Sequence, residues 1–127
     1  MSVSYTNHSI QSNNIQTTDG AEHLVEVGFV YEDSLFADEV TVVAKSTDNI
    51  HAMWKLQAAF SREGDNAPGI VGSILSLIGA QKDLGALLWT AALELDEGGS
   101  VMARVKGASG KTVEWNITNV QDGIQFV

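Results

Sequence analysis

From Leu24 onward the chain alternates apolar and polar residues with a period of two, the signature of half-buried strands. Leu24 to Tyr31 is β-branched and aromatic, and Glu39 to Ala44 repeats the pattern. Ser46-Thr47-Asp48-Asn49 then reads as a turn. Over Ala52 to Phe60, a strand puts Trp54, Leu56, Ala58 and Phe60 on one face and Lys55 and Gln57 on the other. The segment from Arg62 to Gly69 is a loop. Residues 70–78, IVGSILSLI, fit a helical face by spacing, but Gly72 and the short length favour a non-helical core segment. Leu87 to Leu95 reads as a strand with Trp89, Ala91, Leu93 and Leu95 together. Asp96 to Gly99 turns into a strand from Val101, and a last strand over Thr112 to Val120 runs into Asp122-Gly123. Six or seven short strands separated by turn clusters predict an all-β fold: one antiparallel β-sandwich or jelly-roll-like domain over residues 21–127.

Residues 1–20 differ. They are rich in Ser, Thr, Asn and Gln and offer little apolar surface to offset the entropy of ordering. They predict an extended or flexible N-terminal arm. If it orders on a neighbouring molecule, its anchors are Val3, Tyr5, Ile10 and Ile15.

Within residues 107–112, Gly-Ala-Ser-Gly-Lys-Thr raises the question of a phosphate-binding loop. Such a loop needs a glycine five positions before the Gly-Lys pair, and Val105 stands there. It also needs a helix afterwards whose N-terminus faces the anion. The alternation of Thr112 to Thr118 is that of a strand instead. Gly107, Gly110 and Lys111 therefore read as the turn of a β-hairpin joining the strand from Val101 to the strand from Thr112.

A chain of 127 residues that is 44% apolar is long enough to bury a core. It has no cysteine, which removes disulfides and Cys-based zinc sites. No run of about 18 apolar residues predicts a membrane span. The polar, uncharged start lacks the basic and apolar regions of a secretory signal, so synthesis in a cytoplasm is expected. The net charge is −9 and unevenly placed. Residues 1–44 hold seven acids and no Lys or Arg: Asp19, Glu22, Glu26, Glu32, Asp33, Asp38 and Glu39. Such a surface repels phosphate backbones, which argues against nucleic acid as a partner. It suits either solubility or contact with a basic protein surface.

Candidate chemistry is sparse. His8, His23 and His51 are not spaced as metal ligands. No Gly-x-Ser-x-Gly elbow occurs. The paired acids Asp96/Glu97 and Glu63/Asp65 fall in turns, where solvated acids are ordinary, rather than across a cleft. Asp65 and Asn66 offer oxygens, but the spacing of a calcium loop is missing. No catalytic, cofactor or metal site is expected. Trp54, Trp89 and Trp115 sit on strands among apolar neighbours and, with Phe60, are expected in the core; exposed, the tryptophans would instead form a sugar-stacking platform.

Several pieces in a fixed order resemble a domain of tailed-bacteriophage structural proteins. They are Thr17-Thr18-Asp19; the Val40 to Asp48 strand and turn; Trp54 through Phe60 and Arg62 to Gly64; Val71-Gly72; the strand around Trp89 leading to Asp96; and Val105 to Trp115, with its Gly-x-x-Gly-Lys-Thr-x-x-Trp signature. The resemblance covers about the last 110 residues. It implies a β-sandwich in a symmetric virion assembly, no catalysis, and a turn rather than a phosphate loop at Gly107 to Lys111. Gln121 to Val127 extends past the family's usual final strand.

A free-standing domain with an arm, without a fibre shaft, fits a capsid decoration (cement) protein of the virion surface. The expected partner is the major capsid or another virion protein, and the expected state a homotrimer, with no nucleic acid or membrane bound. Glu32, Asp33, Asp38 and Glu39 are the expected contact patch, since acids can steer docking onto a basic rim. The alternative is a tail-fibre or spike module that binds a host glycan.

Overall fold

The computed structural model describes residues 4–126, with the backbone alone at 4, 5, 73 and 75–81. Among the described residues eight strands follow one another: β1 (Ser4–Thr17), β2 (Glu22–Phe29), β3 (Ser34–Ser46), β4 (His51–Arg62), β5 (Gly69–Lys82), β6 (Thr90–Leu95), β7 (Ser100–Lys106) and β8 (Val113–Phe126). One 3-10 turn, Leu84–Ala86, precedes β6. The strands make two antiparallel sheets, the larger ordered β1-β8-β3-β4-β5 and the smaller β2-β7-β6. The chain is an all-β sandwich.

The alternation read from the sequence decides which face of each strand is buried. In β3 every even-numbered residue from Ser34 to Ser46 is buried. In β4 these are Ala52, Trp54, Leu56, Ala58 and Phe60, and in β8 Val113, Trp115 and Ile117. Val101, Ala103 and Val105 of β7 cover them from the smaller sheet. The core is centred on three tryptophans. Trp54 stacks on Trp115 with ring centroids 5.7 Å apart, and Trp89 lies 6.2 Å from Trp115 at a tilt. Offset and tilted pairs of this kind add to the burial of the rings themselves. Phe60 is fully enclosed further along β4, opposite Phe36 of β3.

Four expectations are revised. The hairpin centred on Gly107, Gly110 and Lys111 is not formed, because β7 and β8 belong to different sheets. Residues 107–112 form an arch that crosses the sandwich. Both flanking strands carry an apolar stripe, Val101/Ala103/Val105 and Val113/Trp115/Ile117, and crossing lets the two stripes face each other. The turn itself survives: the Lys111 amide bonds the Ala108 carbonyl at 3.3 Å, and Gly110 takes φ +75°.

Residues 4–17 form a strand that lies on its own chain. β1 pairs with β8 along its whole length, from Ser4 opposite Phe126 to Thr17 opposite Val113. Low apolar content did not prevent ordering, because the backbone ladder supplies what the side chains lack.

The strand from Thr112 does not end at Asp122-Gly123. β8 continues to Phe126, between β1 and β3. Gly123 sits where a side chain would run into the Phe36 ring and the Leu35 carbonyl, so its role is close approach rather than a turn. The strand predicted from Leu87 begins only at Thr90, after the 3-10 turn.

Candidate functional site

The predicted contact acids do not form one patch. Glu32 and Asp33 lie together in the β2–β3 turn. Asp33 takes φ +48°, and its carboxylate accepts the Gly64 amide at 2.6 Å. Glu39 is on the outer face of the large sheet, paired with Lys55 at 2.8 Å. Asp38 is the clear miss. It faces inward at 1% exposure and cannot meet a partner. Its carboxylate accepts Asn119 Nδ2 at 2.8 Å and Gln121 Nε2 at 3.1 Å. The same amides donate to the Val27 and Phe29 carbonyls of β2, both at 3.1 Å. This buried network ties the two sheets together where β2 bulges between Glu26 and Gly28. Burial raises the Asp38 pKa, and the hydrogen bonds from Asn119 and Gln121 only partly oppose the rise.

The predicted arm anchors also separate. Ile15 packs against the core, Ile10 stands outward at 65% exposure, Val3 lies outside the described residues, and Tyr5 is described by its backbone alone.

A different surface assembles beside the β2–β3 turn. On the outer face of the large sheet, Leu35 of β3 and Ile124 of β8 are cross-strand partners and both are exposed. Exposed Phe126 follows on β8, its amide bonded to the Asp33 carbonyl at 2.7 Å. The next row runs Ala37, Ala59 and Val71 across β3, β4 and β5. Gln125 Nε2 reaches the Glu32 carbonyl at 3.1 Å, holding the acidic turn against this strand end. The result is a small apolar strip bordered by exposed Glu32 and Asp33, the latter bonded to the Gly64 amide, and by Asp122, the β8 partner of Ala37. Sequence reading missed it, although odd-numbered Leu35 and even-numbered Ile124 and Phe126 lie on the outward side of their alternations. A second exposed apolar group, Leu84, Leu87 and Leu88, surrounds the 3-10 turn.

Other candidate chemistry is engaged in structure. Each histidine contacts an aspartate: His8 with Asp122, His23 with Asp19, and His51 with Asp83. Asp19 is held below the usual carboxylate range by His23 and the Ala21 amide, and Asp83 by the amide and then the ring of His51. Lys111 lowers Asp48 in the same way. The oxygens near Asp65 and Asn66 face a cation already. Arg62 donates to the Asn66 carbonyl at 2.7 Å and the Asp65 carbonyl at 3.2 Å. No cluster of three potential metal ligands occurs among the described residues. Trp54 and Trp89 are enclosed, and Lys82 covers Trp54 at 5.4 Å from its ring centre. They offer no stacking platform to a sugar. An open depression of about 570 Å³ on the outer face is lined by Asn14, Ile15, Gln16, Val43, Lys45, Glu114, Trp115 and Asn116. Among the described residues no helix is long and apolar enough to cross a membrane.

No protein-family model matches the sequence, and no curated protein matches it. Among solved structures, an Acinetobacter phage tailspike protein superposes on 96% of this chain with a TM-score of 0.48 and 11% identity. The chain spans 22% of that tailspike's length.

Proposed function

We propose that the chain is a non-enzymatic structural protein of a tailed-phage virion that decorates the capsid and stabilises it, docking through the apolar strip of Leu35, Ile124 and Phe126. The virion class comes from the ordered motifs between Thr17 and Trp115, the signature at Gly107 to Trp115 above all. The observation that carries the docking mode is the strip itself, exposed beside Glu32 and Asp33. Apolar surface rimmed by charge is the usual form of a protein contact site. The strip supplies burial, and the acids steer it toward a basic rim.

Co-sedimentation with empty shells of the phage that carries the protein tests this reading. The expected result is saturable, salt-sensitive binding that Leu35→Asp abolishes and Glu32→Lys slows. Absence of shell binding, with binding to a host polysaccharide lost on Lys45→Ala or Asn116→Ala, would favour the tail-fibre alternative. The open depression that Asn14, Lys45 and Glu114 line together with Ile15, Val43 and Trp115 is the feature that supports that second reading.

A further inference from the structure

We infer that β1 is an exchangeable strand: in assemblies it leaves its own β8 and pairs with the β8 of an adjacent copy of the same chain. The partner is a second copy because what holds β1 is backbone pairing to β8, and every copy presents the same β8.

The side chains of β1 anchor it weakly. Ile15 and Thr17 enter the core at one end, where Trp115 Nε1 donates to Thr17 Oγ1 at 3.0 Å. Further back, the inward-directed Ser9 and Gln11 remain exposed. Contact with the three-stranded sheet narrows to two side-chain bonds, from Gln11 and Asn13 to the Glu26 carbonyl, at 3.1 and 3.2 Å. The outward face is polar too: Ser12 and Asn14 bond Thr118 and Asn116 of β8. Apart from outward Ile10 and inward Ile15 the strand is polar on both faces, and such a strand has few side-chain reasons to choose one pairing over another, which is the condition for domain swapping.

The ladder is a different matter. It spans 14 residue pairs and would be re-formed unchanged on a neighbour. The connection to β2, residues 18–21, is short and mostly exposed. Short hinges of this kind favour exchange once straightened. At roughly 3.3–3.6 Å per residue, the hinge confines exchange to copies packed side by side. Within one chain the strand competes at an effective concentration of about millimolar, so exchange needs crowding of that order. The inference does not depend on which partner the Leu35 strip meets.

The chain has no cysteine, so introduced disulfides report on it cleanly. Ser12 and Thr118 are register partners with their hydroxyls 3.1 Å apart. A Ser12→Cys chain is mixed with a Thr118→Cys chain, unfolded, refolded together at about millimolar concentration, and oxidised. The expected result is a disulfide-linked heterodimer, lost when Ser109→Cys replaces Thr118→Cys. Asn14→Cys with Asn116→Cys provides a second register pair should the first disturb folding. Light scattering of the unaltered chain over the same concentrations is expected to show a growing oligomer. Heterodimer no more abundant than the Ser109→Cys control for both pairs, or a chain monomeric throughout, would overturn the inference.

Discussion

Asn119 Nδ2 lies 2.8 Å from Asp38 Oδ2 in the interior of the sandwich, with each residue only 1% exposed. Among the described residues this carboxyl's hydrogen-bond partners are two amides, and no cation joins them. Asn119 Oδ1 is itself buried without a donor. Charge at this point is disfavoured, and the protonated acid is the better tenant.

The pH dependence follows from the raised Asp38 pKa. The folded chain holds this proton more tightly than the unfolded one. The stabilising contribution is complete below the ordinary carboxylate value and is lost as pH rises through the raised folded value. Asp38→Asn keeps an acceptor and carries no charge. Its advantage in urea midpoint over the unaltered chain is expected to grow from about pH 3 to pH 8. Asp19, Asp48 and Asp83 are lowered, so their contributions run the opposite way and fade as pH falls. They are common to both chains and cancel in the comparison. A difference that stays flat with pH would mean that Asp38 does not titrate with folding.

Trp115 touches both other tryptophans. Trp115→Ala is expected to cost about 3–5 kcal/mol by equilibrium denaturation, since it removes a large ring and leaves a cavity. Fluorescence of the unaltered chain is expected to be blue-shifted and protected from iodide. Red-shifted, quenchable emission would contradict the enclosed core.

Gly123 is the test of close packing between β8 and β3. Gly123→Ala would drive a methyl group into the Phe36 ring and the Leu35 carbonyl. Overpacking of this kind costs roughly 1–3 kcal/mol. A melting temperature unchanged by the substitution would show that the two strands sit further apart.

The arch at residues 107–112 predicts that the Gly-Lys-Thr binds no nucleotide. Calorimetric titration with ATP and magnesium is expected to show no heat of binding. Gly110→Ala is expected to destabilise the chain by about 1–2 kcal/mol, because φ +75° is unfavourable for a residue with a Cβ. Saturable ATP binding lost on Lys111→Ala would restore the phosphate-loop reading.

Much of this molecule was legible along the chain because strand periodicity is local. Alternation alone sends Trp54 and Phe60 inward and Lys55 outward, and the structure places them so. The same rule held the clue to Asp38: it shares parity with Phe36, Val40 and Val42, which mark the buried face of β3. Acidity drew it into a surface patch, where parity would have kept it inside. Leu35 and Ile124 carry the converse lesson, apolar residues on outward parity.

Pairing is where the chain by itself stops. Which strand lies beside which depends on contacts across most of the sequence, as when Ser4 meets Phe126. Nothing local to residues 101–118 distinguishes two neighbours in one sheet from two strands facing each other across a core. Burial of both apolar stripes chose the arch. Nor does the composition of residues 4–17 reveal that a long, half-open β8 edge waits to receive them. Side-chain periodicity determined the strands and their faces; the tertiary structure decided their partners, because backbone hydrogen bonds carry no sequence label and are assigned only when the whole sandwich closes.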